Sequence, residues 1–128
     1  MTGHPFKALI VDDATTVRMY HRSLVEEAGW ATVEAENGVE AMEKVLDQPV
    51  DLMFVDVNMP IMDGYAFIKT ARASEKVGQI PIVMISTEAQ KIDRDKAFEA
   101  GANHYLVKPA SPQDIANLLT LLSPEDPS

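Results

Sequence analysis

Three carboxylates, a hydroxyl and an ammonium stand where uncharged apolar runs give out. Asp12 and Asp13 follow ALIV, Asp56 follows LMFV, Ser86 follows IVMI, and Lys108 follows Tyr105, Leu106 and Val107. Carboxylates held within a few ångströms of one another repel, so the three acids call for either a raised pKa or a divalent cation. A hard ion such as Mg2+ suits them, because magnesium is held through one or two carboxylates and keeps water or a phosphoryl oxygen elsewhere. With Asp12 and Asp13 on the ion, Asp56 stays partly free. A carboxylate oxygen attacks an activated phosphoryl group to give an acyl phosphate. Lys108 would neutralise the charge that develops, and Ser86 would donate a hydrogen bond to it.

Singly, each residue has an ordinary reading. Asp12 or Asp13 can cap the helix that follows, and Asp56 can form a turn. Ser86 is an unremarkable cap or turn residue, and Lys108 before Pro109 is a common kind of solvated loop lysine. Met53, Met59, Met62 and Met84 suit packing better than ligation, since a thioether prefers soft metals. The three histidines share no ligand spacing.

The elements that carry these residues decide between the readings. Short apolar runs at 6–11, 31–35, 52–55, 80–85 and 105–107 alternate with segments of helical period. The first helical face is Val17, Tyr20, Leu24, Val25 and Ala28, stopped by Gly29. Asn37 with Glu40 three residues on opens a second helix, with Ala41, Val45 and Leu46 inward. A turn through Pro60 and Gly64 leads to a helix over 65–73, and another over 91–100 ends at Gly101. Ser111 caps a last helix, with Pro112 at its first position and Ile115, Leu118, Leu119 and Leu122 inward.

Runs that are apolar throughout, instead of alternating, belong to parallel strands covered on both faces. Five strand–helix units therefore predict a doubly wound open parallel sheet. In such sheets the ligand crevice lies beyond the carboxyl ends of the strands, where the strand order reverses. Asp12, Asp13, Asp56, Ser86 and Lys108 all fall at that edge, and their joint placement outweighs the separate ordinary readings.

Composition narrows the classes. At 128 residues, residues 1–128 are expected to form a single domain, with a core over about 6–122 and a frayed polar tail at 123–128. A formal charge of -9 with scattered Lys and Arg argues against nucleic acid as a partner. With no cysteine there is no disulfide framework and no thiolate site. No apolar run approaches the roughly 18 residues of a membrane span, and no secretory signal is evident, so a cytoplasmic protein is expected.

At this point the chain resembles the receiver domains of two-component response regulators, and most closely the stand-alone, CheY-like chemotaxis type. The motifs that carry the resemblance are VDD at 11–13, VDVNMPIMDG at 55–64, MIST at 84–87 and AGANHYLVKP at 100–109, within a similarity running from about 7 to 122. It implies a flavodoxin-like fold of strand order 2-1-3-4-5 and a cis bond between Lys108 and Pro109. It also implies Asp56 as phosphoacceptor, with Asp12, Asp13, Asp56 and the backbone carbonyl of Asn58 around Mg2+. Ser86 and Lys108 would contact the phosphoryl group, and Ser86 and Tyr105 would move together as the switch. Asn58 and Glu88 occupy the positions that tune phosphoryl loss, joined by Thr87, whose bulk would slow access. Ala110 stands where chemotaxis relatives often have phenylalanine, which would alter the partner face.

The function expected is a phosphorylation-activated signalling switch in chemotaxis or motility, charged by a sensor histidine kinase and acting on a protein target such as the flagellar motor switch. It would catalyse only its own phosphorylation and dephosphorylation. No Lys or Arg lies in the last helix, so the salt-bridged dimer face of DNA-binding relatives looks incomplete and a monomer is expected. Two other readings stand beside this one. A phosphate sink or phosphorelay shuttle would use the same acceptor without an effector. A Mg2+-dependent aspartyl-phosphate hydrolase of the haloacid dehalogenase type would want a second acid two residues after the nucleophile, where this chain has Asn58. A dinucleotide fold is disfavoured because no glycine fingerprint follows the first strand.

Overall fold

The structure is a computed structural model that describes residues 6–124; residues 125–128 of the expected tail lie outside them. Five strands and five helices alternate along the chain: β1 (Lys7–Val11), α1 (Thr15–Glu27), β2 (Ala31–Ala35), α2 (Gly38–Asp47), β3 (Leu52–Asp56), α3 (Gly64–Ala73), β4 (Ile82–Ser86), α4 (Lys91–Ala100), β5 (His104–Val107) and α5 (Pro112–Leu122). The strands form one parallel sheet in the order β2-β1-β3-β4-β5. The predicted doubly wound class and its order are therefore both found, and the order reverses between β1 and β3.

Alternate residues of the central strands feed opposite layers. Leu9, Val11, Met53, Val55, Ile82 and Met84 pack with Ala41, Val45, Phe67, Ile68, Ala71 and Ala97 from α2, α3 and α4. Ala8, Ile10, Leu52, Phe54, Val83 and Ile85 pack with Val25, Ile115, Leu118 and Leu119 from α1 and α5. Every residue of β3 and of β4 is buried. Each fully buried large apolar side chain contributes roughly 1.5–3 kcal/mol. That burial outweighs the cost of carrying Asp56 and Ser86 into the ends of these same strands.

Capping chemistry sets the helix starts. The Asn37 side chain accepts from the Glu40 amide at 2.9 Å, as expected of the cap, while the Glu40 carboxylate accepts from the Glu36 amide at 3.0 Å, one residue before the cap, in place of the Asn37 amide of a closed box. Ser111 accepts from the Asp114 amide at 3.0 Å with Pro112 in the first turn. Asp63 caps α3 through the Ala66 amide at 2.8 Å. Gly101 closes α4 at φ 120°, a left-handed conformation that glycine adopts without strain.

Four sequence expectations are corrected. The buried stripe of α1 is Arg18, His21 and Val25, whereas Tyr20 and Ala28 are exposed. The apolar pattern misled because two positions of that stripe lie beside the acids and are polar. Leu46 points outward from α2 and is 40 % exposed. Strand β4 starts at Ile82, two residues late, because the Ile80 amide turns back to the Val77 carbonyl and Pro81 has no amide to give. Asp56 belongs to the ladder itself, opposite Ile85, instead of standing just beyond it.

Gly64 opens α3 directly against the Asp56 main chain, where a Cβ would collide with the Asp56 carbonyl oxygen. Gly64→Ala is expected to destabilise the protein by about 1–3 kcal/mol, the usual cost of overpacking a rigid site, read as a lowered urea midpoint.

Candidate functional site

The carboxyl ends of β1, β3 and β5 meet at one cation. Lys108 Nζ, just past β5, donates to Asp12 Oδ2 and to Asp56 Oδ1, each at 2.8 Å. Both acids are buried, at 2 % and 7 % exposure. Asp12 is fixed on every side: its amide donates to the Ala35 carbonyl of β2 at 3.1 Å, its carbonyl accepts from Arg18 Nη1 at 2.7 Å, and its Oδ1 accepts from the Ala14 amide at 2.9 Å. Neither Asp12 nor Asp13 caps α1; that position falls to Ala14, which offers no side chain. Asp13 is exposed, yet one oxygen each from Asp12, Asp13 and Asp56 lie mutually within 4.8 Å. Oxygens on a common octahedral magnesium at 2.0–2.1 Å are at most about 4.2 Å apart, so the cluster fits that ion with a small inward adjustment.

The electrostatics are unbalanced toward negative charge. Burial pushes the Asp56 carboxyl above the ordinary aspartate range; the Lys108 hydrogen bond opposes this, and Asp12 and Asp13 add to it. Lys108 sits above the ordinary lysine value, since its hydrogen bonds to Asp12 and Asp56 outweigh the burial that works to lower it. Two buried anions around one cation leave an excess charge that a further cation would relieve.

The remaining expected residues form a second, connected group. Ser86 is buried at the end of β4, and its hydroxyl oxygen accepts from the Glu88 amide at 3.0 Å. Tyr105 of β5 is turned inward, 8 % exposed, and its hydroxyl donates to the Glu88 carbonyl at 2.6 Å. The main chain of Glu88, through its amide and its carbonyl, thus joins both expected switch residues. Arg94 of α4 lies over the Tyr105 ring, 5.6 Å from its centre. Asn58, Thr87 and the Glu88 residue itself are exposed at the rim. The loop that carries Asn58 is closed by the Gly64 amide on the Val57 carbonyl at 2.8 Å, and the Lys108–Pro109 bond is cis. Ala110 is 1 % exposed and its carbonyl accepts from the Tyr20 hydroxyl at 2.8 Å, so its side chain contributes to the core and not to a partner face.

Sequence reasoning missed Arg18 and His21. Their signal was present: Arg18, His21 and Val25 keep helical spacing, and Arg18 lies less than two turns beyond the paired acids. Beside Lys108, a cavity of about 420 Å3 is lined by Thr16, Val17, Tyr20, His21, Thr87 and Pro109.

An open doubly wound sheet with an acidic cluster at its order reversal defines the class of α/β proteins that bind at a switch point. Within that class the chain belongs to the response regulator receiver domain family, which matches residues 8–120. It is 41 % identical over 119 residues to chemotaxis protein CheY1 of Helicobacter pylori, covering 91 % of this chain and 95 % of that one. Among solved structures, the Vibrio cholerae chemotaxis protein CheY4 superposes with a TM-score of 0.87 at 31 % identity, covering 93 % of this chain and 99 % of that one. The receiver domain of AraT, a response regulator from Geobacillus stearothermophilus, superposes with a TM-score of 0.80 at 34 % identity, covering 93 % of each chain. No helix among the described residues is long and apolar enough to cross a membrane.

Two pH effects follow. Folding raises the Asp56 pKa, so the ionised acid costs stability that is intact below the ordinary aspartate value and lost as pH rises through the folded one. Asp56→Asn is expected to raise the melting temperature at neutral pH, with the gain vanishing toward pH 3, roughly a unit below that ordinary value. Burial lowers the His21 pKa, so stability falls as pH drops below the ordinary histidine value of about 6.5. His21→Leu should flatten that limb of the stability-against-pH curve.

Proposed function

We propose that the chain is a phosphorylation-driven switch of a two-component pathway, with Asp56 as acceptor. The observation that carries this reading is the bridge of Lys108 to Asp12 and Asp56, which leaves the second Asp56 oxygen for an incoming group. That oxygen attacks the phosphorus of a phosphohistidine on a sensor histidine kinase. The new O–P bond forms as the P–N bond breaks; the imidazole leaves, and Asp56 becomes an acyl phosphate. Lys108 already sits against the carboxylate and pairs with a phosphoryl oxygen as charge builds there. Ser86 accepts from Glu88 through its oxygen, so its own proton remains to be donated to the phosphoryl group.

Asp12, Asp13, Asp56 and the Asn58 carbonyl would hold Mg2+, a fit supported by the closely grouped carboxylate oxygens. When bound, the ion supplies positive charge against the acids and the phosphoryl oxygens. Asn58, Thr87 and Glu88 stand at the rim, where they set the access of water to the acyl phosphate and so its lifetime.

A phosphoryl group adds about -1.5 to -2 charge. Drawing Ser86 toward it pulls on the main chain of Glu88, whose carbonyl is the partner of Tyr105, so the change passes into α4, β5 and α5. The relatives named as chemotaxis proteins support motility as the pathway; within this proposal the target is the flagellar motor switch and the protein acts as a cytoplasmic monomer.

With acetyl phosphate and Mg2+, intact-mass spectrometry should show one added phosphoryl group on the wild type and none on Asp56→Asn. Equal labelling of both would overturn the assignment of the acceptor. Capture with beryllofluoride, a phosphoryl mimic, should retain a non-kinase protein target; retention of the kinase alone would favour a phosphate sink.

A further inference from the structure

Arg18 is a charged side chain withdrawn from solvent that the proposed phosphoryl chemistry does not use. It is 8 % exposed, on the buried stripe of α1, and its two ends are spoken for. Nη1 donates to the Asp12 main-chain carbonyl at 2.7 Å, and Nε donates to Glu34 Oε1 of β2 at 2.8 Å. Glu34 is held in turn by Arg22 at 2.8 Å, Arg22 by Glu26 at 3.0 Å, and Glu26 by the Thr32 hydroxyl at 2.7 Å. This chain of ionic hydrogen bonds joins α1 to the edge strand and ends on the peptide between Asp12 and Asp13.

We propose that Arg18 is a positioning residue for the acidic cluster: anchored by Glu34, it fixes the Asp12–Asp13 peptide so that both carboxylates are presented together to Mg2+. Asp12 is otherwise secured through its amide and side chain, but Asp13 is exposed and makes no side-chain hydrogen bond among the described residues. The orientation of Asp13 therefore depends on the peptide that precedes it, and Arg18 grips the carbonyl of that peptide. A guanidinium suits the task because its planar fork reaches two acceptors in fixed directions, which an ammonium does not. Partners that orient metal ligands from behind are commonly worth 10- to 100-fold in metal affinity.

The sign of the effect separates positioning from simple electrostatics. Removing a positive charge near three carboxylates would, by Coulomb's law alone, tighten binding of a cation. Positioning makes the opposite demand. The inference rests on the reading of Asp12, Asp13 and Asp56 as a Mg2+ site, and the experiment tests the two separately. Mg2+ dissociation constants are measured by calorimetry on the wild type, Asp13→Asn, Arg18→Gln and Arg18→Lys, with amide hydrogen exchange at Asp13 and Ala14 in the metal-free proteins. Arg18→Gln should weaken Mg2+ binding by about 10-fold and speed exchange at both amides. Arg18→Lys, with its charge unchanged, should weaken binding by a smaller factor. Unaltered or tighter binding in both folded Arg18 variants, with Asp13→Asn impaired, would overturn the role of Arg18 and leave the metal site standing. If the wild type binds no Mg2+, or Asp13→Asn binds it as well as the wild type, the site reading fails and the Arg18 inference with it. Should Arg18→Gln not fold, the charge-conserving lysine variant decides.

Discussion

One ammonium shared between two buried carboxylates is the interaction on which the site depends. Lys108 is 96 residues from Asp12 and 52 from Asp56, and the three follow different strands. They meet only when β1 and β3 lie side by side, with β4 and β5 continuing the sheet beyond. The strand order and the ionic contact are therefore one fact seen at two scales. Burial makes the contact decisive, because in water the same pairs would contribute little. In a site this enclosed, an uncompensated acid is costly, and the compensation is incomplete: the Asp56 carboxyl stays above its ordinary range even with the lysine in contact. The fold holds a charge imbalance at the sheet edge by surrounding it with strands whose apolar burial exceeds that cost.

Around this centre the structure separates two kinds of attachment. Asp12 is tied through backbone and side chain together, which makes it a fixed reference. The side chains of Ser86 and Tyr105 are linked instead through the main chain of one residue, Glu88, by its amide and its carbonyl. The main chains of both are fixed in β4 and β5, so the shared Glu88 contact couples their side chains alone. The site thus has one half tied through backbone and side chain to β1 and α1, and another whose side chains meet at the β4–α4 loop.

Most of this could be read in the sequence, for a definite reason. Strands buried on both faces carry charge only at their ends, so the first charged residue after each apolar run marks the sheet edge, and Asp12, Asp56 and Lys108 were identifiable on that ground. Helix starts were legible where a side chain caps them, at Asn37 and Ser111. What could not be read were contacts between elements distant in the chain. Arg18 and His21 were left out of the apolar face expected for α1, because hydropathy cannot tell a polar residue facing water from one facing buried acids. Nor does spacing show that a Cβ at Gly64 would strike the Asp56 carbonyl; only the close approach of the β3–α3 loop to the strand reveals it.

Arg72 holds the opposite end of the sheet. From α3 it donates to the carbonyls of Gly101, Gly78 and Ile80 at 2.9, 3.1 and 2.6 Å, and to Asn103 Oδ1 at 2.7 Å. Asn103 Oδ1 also receives the Ile82 amide at 2.8 Å. These acceptors are neutral dipoles with no proton to gain or lose and no counter-ion to exchange. The molecule is consequently asymmetric along its strands: chemistry at the acidic end can redistribute charge, while the far end is clasped by a guanidinium indifferent to it. The sheet resembles a lever fixed at one end, with its working end made of exchangeable ionic contacts.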